Sequence, residues 1–243
     1  MRKFSRLNSL LLALLLFPGL SHALTLSGLR SQARDLALDN GNRLRFSTST
    51  IDSFLNEGQR IAVIDTKAIV RSGQFELAVG TTYYSLPNDY YQMRRLTLRY
   101  LILNEVSPDY LDGRAGLTWE TSSSLPTNYF IAFSSRTKIG FYPFPNNTSS
   151  TGTVRYEYFA QASDMSAITD EPFSGATEID PYGYILAYYA AFRMAAIDGR
   201  ADLAMLYRTE FYEGLDRMKR EVLARPSYRP NIIPGSSGNK IGP

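Results

Sequence analysis

The sequence predicts an α+β fold. Two N-terminal and two C-terminal helices form a four-helix bundle, an antiparallel β-sandwich or barrel-like domain is inserted between the pairs, and an extended C-terminal tail follows. Three observations carry this reading. Apolar residues recur at helical spacing in two segments near each end of the chain. The stretch between them is rich in Tyr, Thr, Phe and Ser and divides into short runs with turn residues between. The last segment, Pro226–Pro243, holds four prolines and three glycines with little apolar matter, so it has no core of its own to fold around.

The first helix is expected over 26–39, with Leu29, Ala33, Leu36 and Ala37 as its stripe, Ser27 as its cap and Asn40-Gly41-Asn42 as its stop. The second starts near Ser47 or Thr48 and runs to about Val70. Its stripe is Ile51, Phe54, Leu55, Ile61 and Ala62, with Asp52, Glu57 and Arg60 facing away and Ser72-Gly73 ending it. Strands are expected at Gln74–Val79, Tyr83–Leu86, Arg94–Asn104, Leu117–Glu120, Tyr129–Ser134, Lys138–Tyr142 and Val154–Phe159. Residues 162–180 read as a polar, irregular connection. Helix resumes near Pro181, with Ile185, Tyr188, Tyr189, Phe192, Ala195 and Ala196 as its apolar face. Asp198-Gly199-Arg200 breaks it. A fourth helix spans 201–223, with Leu203, Leu206, Phe211, Leu215, Met218 and Val222 on one side, closed by Pro226. The helical part is therefore 24–72 with 181–225, the inserted β domain 73–161, the connection 162–180 and the tail 226–243.

Residues 1–23 stand apart. Arg2, Lys3 and Arg6 precede the apolar run Leu10–Phe17, a Pro18-Gly19 break and small residues around Ala23. This is the pattern of a secretory leader, or else of an apolar N-terminal extension packed on a partner. The run is too short to span a bilayer, which takes about 20 residues. Those three basic residues account for the whole formal net charge of +3. The rest of the chain is neutral, so the pI near 9.0 is no footprint of nucleic-acid binding.

Composition excludes much chemistry. With 44% hydrophobic and 20% charged residues the chain can build a core. It has no cysteine, which removes disulfides, thiolate metal sites and thiol nucleophiles. Its one histidine, His22, lies in the leader, leaving a Ser-His-Asp hydrolase or a histidine metal site without residues. No catalytic residue, metal or cofactor is expected, and the chain reads as a non-enzyme. The carboxylate pairs Asp170-Glu171 and Glu178/Asp180 read as loop charges. Asn146-Asn147-Thr148-Ser149 fits a glycosylation pattern, which its turn composition also explains.

Interaction residues remain. Tyr outnumbers the other aromatics, 17 against 13 Phe and 1 Trp. Tyr83-Tyr84 and Tyr90-Tyr91 are consecutive, so an extended backbone puts one ring of each pair on each face. Trp119 reads as core before binding anchor. Arg217, Lys219, Arg220 and Arg225 gather near the end of the last helix, where they either complement its dipole or dock an acidic partner.

The layout from Leu26 to Leu223 resembles the head-to-tail adaptor, or head-completion, proteins of short-tailed phages. Leu26-x-x-Leu29-Arg30 with Leu36-x-x-Asp39 is similar to their opening helix, and Phe46-Ser47-x-x-x-Ile51-x-x-Phe54-Leu55-Asn56-Glu57-Gly58 to their second. Tyr84-Ser85-Leu86-Pro87-Asn88-Asp89-Tyr90 resembles the turn entering their β domain. Tyr129-Phe130 with Lys138–Pro145 resembles their paired strands ending in Pro-x-Pro, and Val154–Tyr158 the strand after. Tyr188–Gly199 and Ala201–Leu215 fit their last two helices. The order and spacing of the segments carry the likeness. The leader departs from it, because adaptors assemble in the host cytoplasm.

The resemblance implies a homo-oligomeric ring, a dodecamer, below the portal protein at the head–tail junction of the virion. Double-stranded DNA would pass its lumen without sequence-specific binding, tail or nozzle proteins would dock on it, and the body would have no membrane contact. Portal contact is expected of Arg217, Lys219, Arg220, Arg225, Tyr228 and Arg229, and subunit or tail contact of Tyr83, Tyr84, Tyr90 and Tyr91. An exported periplasmic or cell-surface binding protein with a β-sandwich is the alternative, with the leader in use.

Overall fold

The computed structural model describes residues 24–39, 44–132 and 137–225. The expected leader, the Asn40-Gly41-Asn42 stop, part of the Tyr129–Ser134 strand and the tail with Tyr228 and Arg229 lie outside the described residues. The described chain is α+β, with five α-helices and two four-stranded sheets.

Helix α1 (Leu26–Ala37) is capped by Thr25, whose hydroxyl accepts from the Gly28 N–H at 3.3 Å, and not by Ser27. It ends where Leu38 turns left-handed, at φ 56°. Helix α2 (Thr48–Thr66) starts at Ser47 as expected, with the Ser47 hydroxyl accepting from Thr50 N–H at 3.1 Å. It stops four residues short of Val70, at left-handed Lys67. From Ile69 the chain bonds to strand neighbours instead, the Ala160 N–H donating to Ile69 O.

Strand β1 (Val70–Leu77) therefore begins before Ser72-Gly73. Gly73 lies opposite Tyr156, whose hydroxyl would stand 2.4 Å from any Cβ there, so this glycine makes room for a ring rather than ending a helix. Strands β2 (Tyr83–Ser85) and β3 (Tyr90–Leu98) follow. The expected strand over 94–104 is in fact β3, a tight turn at Arg99-Tyr100, and the short β4 (Leu101–Ile102) and β5 (Asn104–Glu105). Next come α3 (Pro108–Ala115), which the sequence reading lacks, and a 3-10 segment at Gly116–Thr121 where a strand was expected. Strands β6 (Asn128–Ile131), β7 (Lys138–Tyr142) and β8 (Gly152–Ala160) complete the sheets.

One sheet has the order β1-β8-β3-β4 and is antiparallel throughout; the other, β2-β7-β6-β5, has a parallel β5–β6 pair. Alternation along β8 sends Val154, Tyr156, Tyr158 and Ala160 inward. The sheets meet through aromatics: Phe75 stacks on Tyr84 at 4.9 Å and touches Phe141 and Tyr156.

Helix α4 (Tyr184–Ile197) begins three residues after Pro181 and touches α1, α2 and α5 (Ala201–Ala224). Its position among them explains why Leu186, Ala187, Ala190, Ala191 and Met194 are buried along with Ile185, Tyr189 and Ala195, whereas Ala196 is exposed. On α5, Phe211, Leu215, Met218 and Val222 are buried as expected, but Leu206 faces solvent. Tyr189 packs on Phe211 at 4.9 Å and the Arg193 guanidinium lies over Phe54. The residues expected to face away from α2 link elements instead. Asp52 accepts both arms of Arg30 at 2.5 and 2.7 Å, Glu57 pairs with Arg193, and Arg60 with Asp164. Most of the buried apolar residues form one cluster running from the helices into the sheets, with smaller clusters at Ala191, Ala195, Ala204 and Tyr207 and at Leu111, Trp119 and Phe130.

Candidate functional site

The connection 162–180 must be fixed before any surface beside it can be. Asn56 and Gln59, one turn apart on α2, do this as a short artificial strand edge. Asn56 Nδ2 donates to Met165 O at 3.0 Å while its Oδ1 accepts from Met165 N–H at 2.8 Å. Gln59 Nε2 donates to Ser163 O at 2.9 Å and Oε1 accepts from Phe173 N–H at 2.6 Å. Both side chains are buried. They hold Phe173 and Ser174 in consecutive left-handed conformations, φ 56° and 58°, which unsupported residues avoid. The sequence reading quotes Asn56 only in a family pattern and omits Gln59. The available signal was two amides within a stripe otherwise apolar.

One carboxylate of each pair is bonded within the fold. Asp170 accepts from the Ser166 and Ala167 N–H groups at 2.7 and 2.8 Å, and these bonds hold its carboxyl below the ordinary range. Glu178 receives Arg225. Among the described residues no group of three or more His, Cys, Asp or Glu is placed to hold a metal ion.

The four basic residues expected near the end of α5 separate into two roles. Lys219 bonds Asp65 at 3.3 and 3.4 Å, tying α5 to the end of α2. Arg225 donates to Glu178 O at 2.6 Å and to its carboxylate. Arg217 and Arg220 are exposed, their Nε groups donating to the Glu213 and Asp216 carbonyls of their own helix at 3.3 Å. Arg225 stands at the C-cap of α5, where a cation complements the helix dipole, and the other three precede its last turn. Tyr182 donates to Glu221 at 2.6 Å; that bond and burial push its phenol up to about 12, and Arg217 pulls the other way.

The tyrosine pairs split as the alternation requires. Tyr84 turns in, its hydroxyl bonded to Ala78 N–H and O. Tyr90 is buried against Tyr158. Burial and the nearby Glu105 push its phenol up to about 12. Tyr129, also buried and donating to Glu105 at 3.2 Å, is raised further by the same causes. Tyr83 is exposed and Tyr91 half-buried. Tyr91 borders a groove of about 530 Å³ with Ile61, Ile64 and Lys67. Tyr83 stands edge-on to Phe130 and borders a second groove, of about 550 Å³, with Trp119 and Phe144. Trp119 is core, 5% exposed and donating to Asp112 at 2.6 Å, but on a 3-10 turn rather than a strand.

Among the described residues, no helix is long and apolar enough to cross a membrane. The family model described as SU10 adaptor protein matches residues 24–234. No curated protein matches the chain. The match covers most of the sequence, and the chain belongs to this family of phage adaptor structural proteins.

Proposed function

We propose that this adaptor is the ring-forming connector of a short-tailed phage: copies close into a ring, a dodecamer, below the portal, extend the DNA channel and offer tail proteins a docking surface. The family match over 24–234 carries this reading. A closed ring repeats one heterologous contact around an axis, so modest contacts suffice for a stable assembly. The four long helices act as one bundle and the two sheets as a sandwich-like inserted domain. The neutral body suits DNA passage, since a strongly basic lumen would hold the duplex.

Within this reading Arg217 and Arg220, with Tyr228 and Arg229 of the tail, contact the portal. Lys219 and Arg225 hold α5 in place for them. The Pro226–Pro243 tail takes part in the portal contact. Tyr83 and Tyr91 lie at subunit or tail contacts, with Tyr84 and Tyr90 shaping the surfaces from beneath. The protein is then a virion component of the head–tail junction.

Co-purification of the full chain with the portal protein tests this. Wild type is expected to co-elute, and Arg217→Glu/Arg220→Glu to bind at least about tenfold more weakly with an unchanged Tm. Retention of full binding by both this variant and a chain ending at Arg225 overturns the portal assignment.

A further inference from the structure

The β3–β4 turn presents apolar side chains to water on a rigid support. Leu98 pairs with Leu101, leaving Arg99 and Tyr100 as a two-residue turn. Arg99 takes the left-handed conformation, φ 56°, at a position such turns usually give to glycine. Its guanidinium donates to Thr151 O at 2.6 Å and its N–H to Thr153 O at 3.3 Å, which locks the turn against β8. Tyr100 is fully exposed, and Leu101 and Ile102 are half exposed. A strained, braced turn carrying an aromatic ring that touches nothing in its own chain is an arrangement without benefit to an isolated subunit.

The same chain carries a complementary groove. Val79, Tyr83, Trp119, Phe144 and Pro145 line the cleft of about 550 Å³, within the roughly 300–1,000 Å³ range that encloses compact apolar groups. Trp119 and Phe144 are stacked and Trp119 is fixed by Asp112, so the floor is preformed. Glu120 lies on its rim and is exposed. It complements Arg99 beside the protruding ring.

Topology separates the knob from the Val79 side of the groove. The order β1-β8-β3-β4 puts the β3–β4 turn at one edge and the loop after β1, which carries Val79, at the other. Leu77 pairs with Gly152 and Leu98 with Val154, so both lie at the same end of the sheet. Leu77 and Leu98 are two strand spacings apart, roughly 10 Å. A protrusion and its receptor at separate places on one chain allow a head-to-tail contact, the kind that repeats around a ring.

We propose that Tyr100 and Leu101 of one copy seat in the Val79–Tyr83–Trp119–Phe144 groove of the next copy, with Arg99 facing Glu120. This rests on the ring reading in one respect only, that copies of the chain associate.

The chain has no cysteine, so introduced thiols report without background. Full-length Ile102→Cys and Thr82→Cys proteins, mixed under oxidising conditions, are expected to form a cross-linked pair, and the double variant a ladder. Neither single variant should cross-link to itself. Adding Tyr100→Ser should cut the cross-linked yield about tenfold or more while leaving Tm unchanged. Association by light scattering without an Ile102→Cys to Thr82→Cys cross-link overturns this contact and leaves the ring reading standing. A chain that stays monomeric at every concentration, with and without portal, overturns both.

Discussion

Replacing Asn56 with alanine removes both bonds that clamp Met165 to α2, at 3.0 and 2.8 Å in a buried setting. The Met165 carbonyl and N–H stay buried and lose their partners. Each orphaned group costs about 1–3 kcal/mol, so the variant should lose roughly 2–6 kcal/mol of stability. For a chain of this length that is a Tm drop of about 5–20 °C. Thermal unfolding followed by circular dichroism measures it. Asn56→Asp sharpens the test. Aspartate still accepts from Met165 N–H but meets the Met165 carbonyl with a negative oxygen unless protonated, so folding raises its pKa. A raised carboxyl pKa favours the fold at acid pH and the advantage is lost as pH rises. Asn56→Asp should therefore be closer to wild type near pH 4 than at pH 7. A Tm within about 2 °C of wild type for Asn56→Ala, or a pH-independent deficit for Asn56→Asp, refutes the clamp.

Three further expectations follow. In Gly58→Ala the new Cβ would meet Tyr189 at 2.9–3.0 Å, including the Tyr189 Cβ. Overpacking of about 1–3 kcal/mol should outweigh the gain of about 1 kcal/mol in helix propensity and lower the urea midpoint. Tyr90 and Tyr158 have phenols pushed up to about 12 and Tyr129 is raised too, each mainly by burial. Above pH 10 the unfolded chain ionises these tyrosines and the folded one does not, so stability should be level below pH 10 and fall between pH 10 and 12. Ultraviolet titration should show this group ionising last, and stability unchanged up to pH 12 contradicts it. Gln59→Leu should free the 163–173 connection, read as faster amide exchange at Phe173, with α4 and α5 still protected.

The helices were legible because their stripes are long: Ile51, Phe54 and Leu55, or Phe211, Leu215 and Met218, admit one periodicity. Their ends were less so. Nothing at Lys67 marks a left-handed stop, and Ile69-Val70 continue an apolar pattern that serves helix and strand equally. The turn at Arg99-Tyr100 was hidden because it lacks Gly, Asn and Pro, so 94–104 read as one strand. Helix α3 and the 3-10 turn around Trp119 were missed because tertiary contacts, Trp119 on Phe130 and Asp112, decide them. At the surfaces, the alternation foretold that each tyrosine pair would split, but which ring turns inward depends on the partner sheet. The basic residues of α5 read as one cluster. The structure separates them because Asp65 and Glu178, distant in sequence, take up Lys219 and Arg225.

Electron microscopy of the full chain mixed with the portal protein tests the central claim most directly. Closed rings of adaptor copies seated coaxially on the portal are the predicted result. Adaptor that remains a single subunit beside bare portals contradicts the account.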